Sequence, residues 1–198
     1  MLSGAEVQQY FAGVWRMMLG RPEGLKLLDL SADGFWNSFF AVIVALPPLI
    51  VGWVGFANSV PEAAAVGSRF ALLVRLFLID IGAWILPLVV LAAFARPAGI
   101  ADRFVHYVVA SNWASALFAW LMLLPALLRL FVPQASDLTD GISLVLFLVT
   151  LGLSWRLTVV AIGKGAAVGT AVFFAMLVIS ISVLIALQSV LGLEFQGS

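Results

Sequence analysis

Uncharged stretches long enough to cross a bilayer are the feature that most constrains this chain. Segments 34–61 and 165–193 contain no charged residue, and a helix needs about 20 apolar residues to cross the hydrocarbon core. Hydrophobic residues make up 64% of the sequence and charged residues 10%, against roughly 25% charged residues in an average soluble domain. The sequence therefore predicts an all-α integral membrane protein.

The apolar stretches divide into five predicted spans behind a shorter N-terminal segment. Residues 1–34 are expected to form a cytoplasmic amphipathic or interfacial segment, and residues 194–198 resemble the remnant of a protease site. Trp36 and Trp53 lie near the ends of the first span and are expected to be interfacial belt residues. The bundle at 35–193 is predicted to contain spans at 35–56, 72–94, 104–131, 142–162 and 165–191.

The last two spans are predicted to form a tight antiparallel hairpin. Residues 163–165 are the whole connection between them, and so short a turn places consecutive helices side by side. Gly165 and Gly169 add a small-residue motif of the kind that lets membrane helices approach closely.

The N-terminal helix is predicted to be amphipathic. At about 100° per residue, large apolar side chains between Val7 and Met18, including Trp15, fall on one side of residues 5–19, and Arg16 falls opposite. Such a pattern is typical of a helix that lies in the membrane interface. The alternative is a helix packed against the ends of the bundle. The candidate membrane-surface contacts are Trp15, Arg16, Arg21 and Lys26.

Lysine and arginine positions give the predicted orientation, because cytoplasmic loops carry an excess of these residues. With the N-terminus inside, the outer side holds Arg69, Arg75 and Arg129. The inner side then holds Arg16, Arg21, Lys26, Arg96, Arg103, Arg156 and Lys164. We therefore expect a multi-pass membrane protein with its N-terminus cytoplasmic and its C-terminus outside.

Asp80 is the first candidate for a functional residue within the spans, since charges inside a membrane are costly and usually face protein or water. It lies roughly 12 Å below the outer end of the second span. Pro48, Thr150 and Ser182 are expected at a similar depth on other helices. A carboxylate beside carbonyl groups freed by proline can hold a cation or a proton. The alternative is that Asp80 pairs with an arginine such as Arg75 and only locks the bundle.

A second polar layer is predicted near the inner face. Asn112 and Arg156 both lie roughly 10 Å from the inner ends of their helices. Arg156 is expected either to turn towards the interface or to donate to Asn112 and to carbonyl oxygens, which makes this layer a candidate anion or lipid-headgroup site. His106 is a lone histidine without a second ligand and suggests little chemistry. The candidate intramembrane polar site therefore comprises Asp80, Arg75, Asn112 and Arg156.

Enzymatic chemistry is not indicated by any pattern in the sequence. There is no cysteine, which removes disulfides and thiolate sites, and there is no zinc-protease or phosphate-loop motif. A formal net charge of zero gives no basic field for nucleic acid. We therefore expect no catalytic residue, no cofactor, no metal and no nucleic-acid partner.

The plan of the chain and three of its segments carry a family resemblance. The segments are 15–24 (WRMMLGRPEG), 33–39 (DGFWNSF) and 104–113 (FVHYVVASNW). With five spans and an inner N-terminus, the chain resembles the Yip-domain family, and within it small bacterial membrane proteins. Eukaryotic members are five-pass proteins of the secretory pathway that interact with Rab GTPases. The resemblance implies a non-enzymatic protein of membrane organisation or trafficking, located in the bacterial inner (plasma) membrane, and supplies no catalytic residue.

Three functions remain open at this point. The favoured one is a membrane adaptor or organiser whose basic residues meet anionic headgroups. The second is a small transporter or channel that uses Asp80 as its ion site, although an odd number of spans disfavours a two-fold inverted repeat. The third is an accessory subunit of a larger membrane complex, with Asp80 and Arg156 buried against a partner. The expected partners are the lipid bilayer and either a membrane protein or a second copy of the chain.

Overall fold

The computed structural model describes residues 2–59 and 66–193. Within these ranges all regular secondary structure is helical, and five helices are long and apolar enough to cross a membrane. This confirms the predicted all-α class and the number of spans, and it is typical of a multi-pass membrane protein. The tail at 194–198 lies outside the described residues.

The first span is built from two helices joined by a 3-10 turn at Ser38–Phe40, and together they cover Ala32–Asn58. The fourth and sixth helices begin at residues 66 and 136 rather than at the predicted 72 and 142, because backbone hydrogen bonding continues through polar residues that end an apolar stretch. The helices are α1 (Gly4–Met18), α2 (Ala32–Asn37), α3 (Ala41–Ser59), α4 (Val66–Phe94), α5 (Phe104–Phe131), α6 (Ser136–Ile162) and α7 (Ala166–Val190).

The long helices follow one another around a closed cycle of contacts. Helix α3 packs on α5, α5 on α6, α6 on α7, α7 on α4, and α4 on α3. The order in space therefore differs from the order in sequence, since α4 lies between α3 and α7. This arrangement leaves internal space that side chains from several helices line.

Glycine allows the closest approach within the α6–α7 hairpin. A Cβ atom at Gly169 would lie 2.6 Å from the Cα atom of Val159 on α6, so a larger residue there would push the helices apart. Gly163 ends α6 in the left-handed conformation, with a φ of 58°. A Cβ at Gly165 would meet nothing within 4 Å, so Gly169 alone of the predicted motif lies at a close contact.

Helix α1 packs on α5 and α6. Val14, Met17 and Met18 are fully buried and belong to the same core cluster as Trp113 of α5. The Tyr10 and Trp113 rings lie 4.8 Å apart. The large apolar side chains of α1 therefore face the bundle, which is the packing that the alternative interpretation of this helix describes.

Trp15 is an exception to the predicted faces of α1. It was expected on the apolar side, but 48% of its surface is exposed, and the neighbouring Arg16 is exposed as well. The helical projection assigns Trp15 to the edge of the apolar side, and packing against α5 and α6 leaves this edge uncovered.

Candidate functional site

Asp80 on α4 is held by an indole group from α3. The Trp53 Nε1–H donates to Asp80 Oδ2 at 2.6 Å, and Phe77 places its ring edge-on to the Trp53 ring, with centroids 6.0 Å apart. Trp53 is only 9% exposed. The prediction of Trp53 as an interfacial belt residue is therefore wrong, because its N–H group donates to the Asp80 carboxylate inside the bundle.

The alternative pairing of Asp80 with Arg75 is not formed. Among the described residues the ion pairs are Arg103–Asp102, Arg129–Asp140 and Lys164–Asp102. The Arg75 guanidinium instead lies near the turn after α7, 4.0 Å from a Cβ built at Gly192. Five residues along one helix separate the two side chains by about 140°, so they leave α4 in different directions.

The carbonyl group freed by Pro48 is already satisfied. Proline at this position removes the hydrogen bond to the carbonyl of residue 44, and the Trp120 Nε1–H donates to the Val44 carbonyl at 3.0 Å. This carbonyl therefore has a protein donor in place of the lost amide hydrogen bond, and Val44 is not among the residues that line the Asp80 cleft.

A cleft of about 590 Å³ surrounds the Asp80 carboxylate, with walls from α3, α4, α5 and α6. Thr150 lines this cleft, as its depth predicted, whereas Ser182 lies exposed on the surface. The hydroxyls of Ser143 and Thr150 donate to backbone carbonyls of their own helix at 2.8 Å. Their oxygen atoms therefore retain acceptor capacity towards the cleft. The lining residues beside Asp80 are Leu49, Trp84, Ser115, Phe118, Ala119, Met122, Ser143, Phe147 and Thr150.

Two smaller spaces continue from this cleft towards the outer end of the bundle. A cavity of about 200 Å³ shares Met122 and Ser143 with the cleft. An outermost cavity of about 540 Å³ shares Gly55 and Arg129 with that second one. The outermost cavity also contacts Asp140, at the start of α6. Neighbouring spaces thus have wall residues in common.

A further cavity continues from the cleft towards the inner end. Its volume is about 220 Å³, and it shares Ser115 and Phe118 with the cleft. It reaches Tyr107 on α5 and Thr158 on α6, each about 5 Å along the helix axis from the inner terminus. The other polar lining residues are Ser111, Ser154 and Ser180. The four spaces are called the cavity series below.

Asn112 joins three spans and does not meet Arg156. Its Oδ1 accepts from the Trp84 Nε1–H at 2.9 Å, and its Nδ2 donates to the Ser38 hydroxyl at 2.8 Å. The Ser38 hydroxyl in turn donates to the Phe35 carbonyl at 2.7 Å. Asn112 is fully buried, so its amide is a structural junction, and the predicted donation from Arg156 to Asn112 is wrong.

Arg156 instead binds the end of α1. Its Nη2 donates to the Leu19 carbonyl at 2.8 Å, one of the carbonyls that a helix C-terminus leaves unpaired. Gly20 adopts a φ of 80°, and a Cβ there would lie 2.6 Å from the Arg156 Nη2 atom. The residues predicted as one polar site therefore separate into four places: the Asp80 cleft, the Asn112 junction, the Arg156 contact with α1, and the turn after α7, where Arg75 lies.

The inner connections contain contacts that the sequence did not indicate. The Lys164 ammonium donates to the Gly99 carbonyl at 2.6 Å and pairs with Asp102 at 2.6 Å. The Nδ1 atom of His106 is buried without a hydrogen-bond partner among the described residues.

The candidate membrane-surface contacts are all exposed, namely Trp15, Arg16, Arg21 and Lys26.

The residues that sequence reasoning missed are mainly tryptophans and the Arg129–Asp140 pair. Trp53, Trp84 and Trp120 each use the indole N–H inside the bundle. A tryptophan in the middle of a span is a usable signal, because its N–H group needs a partner wherever water is absent.

Comparison with protein families, curated proteins and solved structures finds no match to this chain.

Proposed function

We propose that this protein is a small membrane transporter or channel for a small cation, either a proton or an alkali ion, and that its path follows the cavity series. The observation that carries the proposal is the position of Asp80 in the widest of four spaces that share wall residues. Polar side chains occur among the mostly apolar lining residues of this series, from Ser136 at the start of α6 to Thr158 near its end.

The surroundings of Asp80 support a role in binding a cation. An ionised carboxylate offers about four acceptor positions, and the described side-chain donor is the Trp53 indole. A bare charge is costly inside a membrane, so the carboxylate is most stable with a proton or a cation. The acceptor oxygens of Ser143 and Thr150 in the same cleft suit either species or a water molecule that carries it.

The proposed orientation follows the distribution of basic residues. The N-terminus is cytoplasmic and the C-terminus lies outside, in the inner membrane of a bacterium. In that orientation the Arg129–Asp140 end of the cavity series opens outwards, and the end at Tyr107 and Thr158 faces the cytoplasm.

Ion flux into reconstituted vesicles tests the proposal. Vesicles loaded with K⁺ are diluted into Na⁺ medium, and a pH-sensitive dye is followed. With valinomycin the assay reports proton entry through the protein, and with a protonophore it reports K⁺ exit. We expect flux above protein-free vesicles in at least one arm, loss of that flux in Asp80→Asn, and unchanged flux in Asp33→Asn, an exposed carboxylate on α2.

Two results would count against this function. Folded wild-type protein that is indistinguishable from protein-free vesicles in both arms would remove it. Flux that is equal in Asp80→Asn and the wild type would leave a path but remove Asp80 as its ion site.

A second candidate function rests on the exposed surface at the end of α1. Trp15, Arg16, Arg21 and Lys26 are exposed together, and each basic residue near an anionic surface contributes about 1 kcal/mol. This surface supports a membrane organiser of the kind that the Yip-domain resemblance implies. If it binds anionic lipid, Arg16→Gln should reduce co-purified anionic lipid about fivefold, and Arg75→Gln, an exposed arginine expected on the outer side, should not. Equal lipid retention by both variants would reject this function.

A further inference from the structure

The Arg129–Asp140 ion pair lies where the two outer spaces of the cavity series meet. Arg129 lines both of these spaces, and Asp140 lines the outermost one. The Arg129 Nη2 and Asp140 Oδ1 atoms are 2.5 Å apart. About half of the Arg129 side chain (49%) and two thirds of the Asp140 side chain (66%) are exposed, so both reach the open space.

Secondary structure fixes the backbone positions of both Arg129 and Asp140. Arg129 lies in the last turn of α5, and the chain turns back through a 3-10 turn at Pro133–Ala135. Thr139, next to Asp140, is 1% exposed and donates its hydroxyl to the Ala135 carbonyl at 2.9 Å. The Asp140 carboxylate is therefore presented to Arg129 from a fixed point on α6.

An unpaired guanidinium at this junction would oppose a cation. Arginine in the wall of a pore forms an electrostatic barrier to cations and protons, and it attracts anions. A paired carboxylate cancels most of that field at short range. We propose that Asp140 determines the charge selectivity of the path by neutralising Arg129, so that the junction neither repels cations nor attracts anions. This inference rests on the proposed transport function.

Charge-removing variants in the vesicle assay test the inference. Asp140→Asn leaves Arg129 unpaired, and cation flux should fall about tenfold because an uncompensated positive charge then faces each passing cation. Nitrate flux should rise in the same variant. The double variant Arg129→Gln with Asp140→Asn should recover cation flux to within about twofold of the wild type, since the junction is again neutral.

Asp137→Asn is the matched control, because Asp137 carries the same charge in the first turn of α6 and is exposed. It should leave both fluxes unchanged. Cation and nitrate fluxes that agree between Asp140→Asn and Asp137→Asn would overturn the inference and leave the transport function intact. Equal loss in Asp140→Asn and in the double variant would also overturn it, by assigning the pair a structural role. Absence of flux in the wild type would overturn both proposals.

Discussion

Replacing Asn112 by alanine should destabilise the bundle more than any exposed substitution, because this amide connects three spans. It accepts from Trp84 and donates to Ser38, and it is fully buried. Alanine removes both hydrogen bonds and leaves the Trp84 N–H without its acceptor.

The magnitude follows from the two contacts. Hydrogen bonds between membrane helices average about 0.6 kcal/mol each, and a buried donor left unpaired costs a further ~1–3 kcal/mol. We therefore expect Asn112→Ala to lower the free energy of unfolding by ~2–4 kcal/mol. Trp84→Phe keeps an aromatic side chain but removes the N–H and part of the indole packing, so it should cost about 1–3 kcal/mol. The coupling between the two substitutions should be about 0.6–1.7 kcal/mol.

Unfolding by SDS titration in mixed micelles measures these values for the single and double variants. Ser111→Ala is the control, because the Ser111 hydroxyl donates to the Val108 carbonyl of its own helix, and its change should stay within about 0.5 kcal/mol. A loss below about 0.5 kcal/mol for Asn112→Ala, or a coupling near zero with Trp84→Phe, would refute the reasoning.

Two further predictions concern packing and pH. Gly169→Ala should lower the free energy of unfolding by about 1–3 kcal/mol, since its Cβ would meet the Val159 backbone. Gly152→Ala is the control, because there is open space around Gly152, and it should be neutral or stabilising. Equal unfolding midpoints for the two variants would contradict this prediction. Hydrogen bonds from the Ser3 amide and hydroxyl hold the pKa of Glu6 below its ordinary value. The ionised Glu6 carboxylate therefore stabilises the start of α1 fully above the ordinary carboxyl pKa. This stabilisation is lost as the pH falls through the lowered pKa. Amide exchange at the start of α1, corrected for intrinsic rates, should accelerate over that acidic range, and a pH-independent protection factor would contradict it.

The helices themselves could be predicted because length and apolarity suffice for a span. The segment at 165–193 is uncharged, and α7 occupies Ala166–Val190 within it. Helix ends were less well predicted at Val66 and Ser136, since a helix continues through polar residues after hydropathy falls. Orientation, membrane identity and the Yip-domain resemblance stay predictions.

For the residues of the candidate site, the sequence could predict only their depth along their helices. Position along a helix gives height, and Asp80 and Thr150, which were expected at a similar depth, line the same cleft. It does not give the direction of a side chain or the order of helices. Asn112 and Arg156 have a similar depth, yet one bonds to Trp84 and the other to the Leu19 carbonyl. Contacts between distant helices decide such pairs, and a single sequence carries no record of them.

The contact between Arg156 and Leu19 has a consequence for the order in which the protein is made. The two residues are 137 positions apart, so a ribosome completes α1 long before its binding surface on α5 and α6 exists. During that interval Val14, Met17 and Met18 lack the α5 and α6 side chains of their core cluster, and the 3-10 turn at Pro22–Leu27 is the neighbour that α1 already has. The contacts of α1 therefore form in two stages, first with the turn that follows it and later with α5 and α6.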